Sequence, residues 1–322
     1  MTSRPISRLL TLLLTAGLIA LLGACSAPDE DAADSSSAFT PVTIEHEYGS
    51  TTITDKPTRV VTLTTAWSDT LGALDIPIAA QFVPQGFTKY PWSPDSNAEI
   101  VEVANPMEVT VAEVAKFNPD LILAGYLGSE EQYTTLSGVA PTIPVLAGGA
   151  TADSWESITS AAGKIFGVAG AAEVEIEETK AEIAQFTADH PGAAGKTFTF
   201  AQVMPTGQIG AVNTTDDAAA GLIASLGFTL NPQVAAQHTD GQTRSRISAE
   251  RLDLLNSDLL IAYVPGGDFA AVQKLPGWAS LTAVRNGTVV YLDDTTQPAF
   301  SVPSAPSVEF VISTLSPAAA KL

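Results

Sequence analysis

Two hydrophobic rhythms run along this chain, short apolar runs of strand length and longer stripes that repeat every three or four residues. Val42 to Thr54, VTIEHEYGSTTIT, reads as a hairpin with Gly49-Ser50 at its turn, and Lys56-Pro57 ends it. Buried strands are expected at Arg59–Thr64, Ile76–Phe82, Asp120–Gly125 and Ile143–Leu146. Helical stretches alternate with them: a short one carrying Trp67 through Leu74, then Val109–Phe117, Glu130–Ser137 and Ser154–Phe166. Residues 83–98, VPQGFTKYPWSPDSNA, form a long polar loop. The longest stripe lies in residues 170–189, where Ala172, Ile176, Thr179, Ile183 and Phe186 share one helical face. His190-Pro191-Gly192 stops that helix. The alternation then resumes with strands at 197–203, 208–212, 258–264 and 289–292, and helices at 216–226, 249–255 and 303–320. Strands and helices at this spacing imply parallel sheets faced by helices. Two α/β halves thus flank the 170–189 helix, a rod of roughly 30 Å.

The two halves echo each other. Ala112 to Asp120, AEVAKFNPD, leads into LILA, and Glu250 to Asp258, ERLDLLNSD, leads into LLIA. Both are a short helix, a turn, an aspartate and a buried strand in one nine-residue register. The echo points to duplication of one lobe.

The N-terminus adds a processing signal. Arg4 and Arg8 precede an apolar run over residues 9–22, and Leu22-Gly23-Ala24-Cys25 follows, the pattern of a secretory signal ending in a bacterial lipobox. Cys25 is the single cysteine of the chain, so acylation there accounts for a thiol that no disulfide can use. Removing residues 1–24 leaves 298 residues, more than one core usually organises. It also takes two positive charges and deepens the formal net charge from −20 to −22. A chain so acidic is a poor partner for nucleic acid or an anionic membrane surface. Residues 25–39 read as a disordered, acidic tether with little to bury. The expected organisation is signal 1–24, tether 25–39, first lobe 40–169, bridging helix 170–189 and second lobe 190–322.

In order behind the lipobox come Lys56-Pro57-Thr58-Arg59-Val60-Val61, Asn118-Pro119-Asp120-Leu121-Ile122-Leu123 and the stretch from Tyr133 to Pro141-Thr142. Ile247-Ser248-Ala249-Glu250-Arg251-Leu252 and Trp278 to Tyr291, WASLTAVRNGTVVY, follow. In this order the chain resembles the periplasmic solute-binding proteins of ABC importers, in the branch that carries ferric siderophores, haem and cobalamin. The resemblance covers residues 40–322. It implies an α/β fold of two Rossmann-like lobes joined by one long α-helix, with the ligand cleft between them, and small hinge motion. It implies a lipid-anchored, monomeric protein on the extracytoplasmic face of the membrane. That protein captures a ferric siderophore and delivers it to an ABC permease, with no resident cofactor. Haem or cobalamin on the same scaffold is the alternative, and a lipoprotein enzyme or structural envelope protein is a remote one. The resemblance also implies one docking glutamate per lobe for the permease. Glu250, eight residues before Asp258, fits; the same register before Asp120 falls on Ala112, leaving Glu113 or Glu108 as substitutes.

A cleft for a bulky, often anionic ferric chelate needs cations to offset charge and aromatics to cover its apolar edges. Arg244 and Arg246 stand out in a cation-poor chain, with one of the two expected to face the cleft. Trp67, Tyr126 and Tyr263 follow or end strands, where α/β lobes tend to bind ligands, although core packing would also explain them. Tyr90 and Trp92 either pin the 83–98 loop or face the ligand. Gln202 and Met204 are weaker candidates, and Arg285 fits a structural turn. The usual nucleophile, phosphate-loop, dinucleotide and metalloprotease motifs do not occur, and His46, His190 and His238 lie far apart. A histidine-centred base or a bare transition-metal site is therefore not expected.

Overall fold

The computed structural model describes residues 39–87, 89–147, 152–239 and 241–322. The signal over 1–24, lipidation at Cys25 and the tether up to residue 38 fall outside the described residues.

Val42–His46 (β1) and Gly49–Ile53 (β2) pair antiparallel, Val42 opposite Ile53 and His46 opposite Gly49. The first sheet follows from Val60–Thr62 (β3), Ala80–Pro84 (β4), Glu99–Val103 (β5), Leu121–Gly125 (β6) and Thr142–Pro144 (β7). Its order is β5-β4-β3-β6-β7, parallel throughout. The helices between its strands are Thr65–Ala73 (α1), Val111–Ala115 (α2) and Glu130–Ser137 (α3), with Trp155–Phe166 (α4) after β7. All five residues of β6 are buried, as suits a strand covered on both faces. Leu121 and Leu123 join Trp67, Ile158 and Ile165 in one core, while Ile122 and Ala124 join Phe82, Val114 and Leu136 in the other. The period of two therefore divides one strand between two cores.

Ala169–Asp189 (α5) carries the chain onward. Ala172, Thr179 and Phe186 are buried, and Ile176 and Ile183 pack partly buried beside them. Its first turns lie hard against α4, where a Cβ on Gly163 would come within 2.6 Å of the Ala172 Cβ. Only glycine lets the two helices approach this closely. At the far end Phe186 belongs to the core of the second sheet, its ring centroid 6.4 Å from that of Phe228.

The second lobe contains Thr197–Val203 (β8), Ile209–Val212 (β9), Thr229–Leu230 (β10), Arg244–Ile247 (β11), Leu259–Tyr263 (β12) and Val289–Leu292 (β13). Their order is β11-β9-β8-β12-β13, with β10 alongside the start of β8. Helices Ala218–Ser225 (α6), Pro232–Ala235 (α7), Phe269–Val272 (α8) and Thr282–Asn286 (α9) lie between strands, and Gln297–Ser301 (α10) and Ala305–Ala319 (α11) close the chain. The last helix packs on α5, on β13 and on α1 of the first lobe, so the chain's end is shared between lobes.

Three expectations need correction. The second sheet is mixed, since β9 runs antiparallel to both β8 and β11. Five residues, 204–208, separate β8 from β9, whereas a parallel crossover takes a dozen or more. A tight turn forms instead, with Gly207 N–H donating to Met204 O at 2.8 Å. The strand expected over 76–82 is displaced to Ala80–Pro84. Residues 249–255 form a 3₁₀ stretch, broken at Arg251 with φ −109° and ψ 33°, and not an α-helix.

The echo between the halves is structural as well. Asp120 accepts from the Thr58 amide and hydroxyl, each at 2.8 Å. Asp258 accepts from the Thr197 amide and hydroxyl at the same distances. In each lobe one aspartate ahead of a central strand (β6, β12) ties down the start of its parallel neighbour (β3, β8).

Candidate functional site

The C-terminal ends of β3, β4 and β6 and the segment after β7 open on a cavity of about 410 Å³. This is the end at which parallel α/β sheets hold ligands, and the volume falls in the usual range for such sites. Its floor is Leu63-Thr64-Thr65 and Gly125-Tyr126, which follow β3 and β6. Gly125 has φ +64°, and a Cβ there would lie 2.7 Å from Thr64 Cγ2. Glycine therefore holds the two strand exits together under the cavity. On one side the Asn105 side chain accepts from the Met107 amide at 3.0 Å and fixes the turn that sets Asn105, Pro106 and Met107 in the wall. The second lobe contributes Gln297, Pro298 and Val302, so residues of both lobes line the space.

Asp153 also lines it. Its Oδ1 accepts from the backbone N–H groups of Leu146 (2.9 Å) and Ala147 (3.3 Å), closing the segment between β7 and α4. Burial raises its carboxyl to about 6; the two N–H groups pull it down and the nearby Glu47 carboxylate pushes it up.

The aromatic loop does two things. Tyr90 lines the cavity and stacks on Trp92, centroids 4.7 Å apart and planes 10° apart. Trp92 stands behind the wall, tilted on Phe310 of α11 at 4.8 Å, with its indole N–H on Asp69 Oδ2 at 3.0 Å. Burial and the charge of Asp69 push the Tyr90 hydroxyl up to about 12, so it stays a neutral donor. Tyr90 faces the space and Trp92 pins the loop.

Of the other sequence candidates, Tyr126 lies half-buried in the wall, whereas Trp67 backs the wall from the core and is fully buried, as the core-packing alternative has it. Tyr263 does not line this cavity: its hydroxyl donates to Asp294 Oδ1 at 2.7 Å. Arg244 and Arg246 sit on the edge strand β11, outside the lining. Residues two apart on a strand share a face, so the expectation that only one turns toward the cleft is corrected. Arg244 Nε lies 3.8 Å from Asp217 Oδ2, and Arg246 is exposed. Glu108 and Glu250 are exposed on short 3₁₀ turns, Pro106–Glu108 and Ala249–Leu255. Glu113 is half-buried, and its carboxylate accepts from the Thr110 amide and hydroxyl in a capping box. Sequence reasoning missed Asp153, Asn105–Met107 and Gln297–Val302. Only Asn105–Met107, just beyond the end of β5, had a position that could have singled them out. Among the described residues, no group of three or more His, Cys, Asp or Glu side chains is placed to hold a metal ion.

Comparison with known proteins adds independent findings. The sequence profile of periplasmic binding proteins matches residues 60–296. Over 107 residues the chain is 36% identical to the ferric-anguibactin-binding protein FatB of Vibrio anguillarum, a match covering 32% of each chain. Over 267 residues it is 26% identical to the Fe(3+) dicitrate-binding periplasmic protein FecB of Escherichia coli, covering 79% of this chain and 83% of that one. The crystal structure of PiaA from Streptococcus pneumoniae in complex with ferrichrome superposes with a TM-score of 0.72 at 24% identity. That superposition covers 87% of this chain and 99% of PiaA, and it shows a shared fold.

Proposed function

We propose, since this chain belongs to the periplasmic binding protein family, that it captures a ferric siderophore outside the cell membrane and passes it unchanged to an ABC permease. The observation that carries the reading is the cavity, an aromatic and aliphatic space at the strand ends of one lobe, completed by Gln297, Pro298 and Val302 of the other. A chelated ferric ion already has its ligands. Its receptor needs to supply no metal donors, only surfaces that fit the organic shell, and Tyr90 and Tyr126 are such surfaces. The names of FatB and FecB and the ferrichrome held by PiaA support the iron side of the reading.

In this account Cys25 holds the protein at the membrane through a lipid. Glu250 meets the permease from the second lobe, and Glu108 is the better first-lobe candidate because Thr110 already occupies the Glu113 carboxylate.

Titration of the signal-free protein with ferric siderophores, followed by tryptophan fluorescence, tests the assignment. Trp67 backs the wall and Trp92 stacks behind Tyr90, so saturable quenching is expected. Quenching by haem or cobalamin with none by any ferric siderophore would overturn the ligand.

A further inference from the structure

The cavity wall has a charge character that the proposed role does not by itself explain. Leu63, Trp67, Phe82, Met107 and Val302 give it a mostly apolar lining, and no lysine or arginine is among the described lining residues. Among the described lining residues the one carboxylate is Asp153, 5% exposed and held by two backbone N–H groups.

Several cations outside the lining have partners of their own. Arg59 donates to Phe117 O at 2.9 Å, and Lys321 donates to Gly287 O at 2.7 Å. Lys180 pairs with Glu177 at 3.2 Å and Arg251 with Asp253 at 3.1 Å. Arg244 faces the buried Asp217, and Arg246 is exposed on the sheet edge, outside the wall.

A polyanionic chelate entering this space would shed water against aromatic rings and a carboxylate, with no counter-cation among the described wall residues. Buried charge without a partner is strongly disfavoured. A neutral chelate escapes that cost, and a cationic one gains from Asp153 and from the ring faces.

We propose that the cavity selects a ferric chelate of neutral or positive net charge, an inference that rests on the siderophore-binding reading above. The matching chemistry is a ferric tris(hydroxamate), whose three singly charged donors cancel the charge of ferric iron, with or without a protonated amine on its periphery. Tris(catecholate) and citrate complexes keep net negative charge and are discriminated against. Asp153 is the specificity-determining residue.

The test titrates the signal-free protein with four ferric complexes: a neutral tris(hydroxamate), one bearing a free amine, ferric dicitrate and a ferric tris(catecholate). The two hydroxamates are expected to bind at least about tenfold more tightly than the two anions. Asp153→Asn, which keeps an acceptor for the Leu146 and Ala147 amides, is expected to narrow that ratio severalfold. Equal or tighter binding of the anions overturns the charge assignment and leaves the siderophore-binding reading standing. An unchanged ratio in the variant overturns the role given to Asp153. Binding of none of the four by a cooperatively folded protein overturns the siderophore reading and this inference with it.

Discussion

Ser304, the N-cap of α11, donates its hydroxyl to Asp69 Oδ2 of α1 at 3.1 Å, across 235 residues of chain. The same carboxylate accepts from Trp92 Nε1 at 3.0 Å and Ser93 Oγ at 2.6 Å. Asp69 is 3% exposed, so one buried group joins the first lobe, its aromatic loop and the closing helix. Burial raises its carboxyl, and the three donors partly restore the charged form.

Asp69→Ala leaves those three donors without their acceptor, Ser304 fully buried and Trp92 and Ser93 half-buried. The expected loss is on the order of 2–4 kcal/mol in urea denaturation, since each buried unpaired donor costs about 1–3 kcal/mol. Limited proteolysis within residues 85–98 is expected to speed up alongside it. Wild-type stability with an intact loop would show that the junction holds nothing.

Asp153 gives a pH signature. Its carboxyl sits at about 6 when folded, against an ordinary value of 3.8. A raised folded value means that the native state binds the proton more tightly, so this stabilisation is full below about pH 4 and lost as pH rises through about 6. Asp153→Asn removes the effect. The variant is expected to gain on the order of 2–3 kcal/mol relative to wild type between about pH 4 and about pH 7. Parallel pH profiles would refute it.

Much of this architecture was legible in the chain. The stripe Ala172–Ile176–Thr179–Ile183–Phe186 is the packed face of α5, because a long helix lying between two cores must keep one continuous seam. The runs at 121–125 and 259–263 are central strands, apolar at every place because both faces are covered. Strands β5 and β11 escaped notice because each lies at a sheet edge and keeps charged residues, Glu99 and Glu102 in one and Arg244 and Arg246 in the other. In the site, the strand-end aromatic signal marked Tyr126, while Trp67, marked the same way, is core. The lining by Gln297–Val302 had no local signal, since it arises from the return of the chain's end across both lobes.

The α5 bridge bears on motion. Gly163 packs α4 against Ala172, and Phe186 is fixed in the second core, so the connector is clamped at both ends. Solution scattering is expected to give radii of gyration that agree within error with and without ligand. A clear contraction on binding would mean that α5 bends.

Permease docking separates from ligand capture. Glu250→Ala is expected to leave ferric-siderophore affinity unchanged while lowering uptake by up to about fivefold, the worth of about 1 kcal/mol from an exposed ion pair. Normal uptake would remove Glu250 from the docking surface.

The most direct measurement is a crystal structure of the signal-free protein with a ferric siderophore, with the metal located by anomalous scattering at the iron edge. The iron is expected in the cleft, its chelate against Tyr90 and Tyr126 and beneath Gln297, Pro298 and Val302. Iron found only on the outer surface, with the cavity filled by solvent, would contradict it.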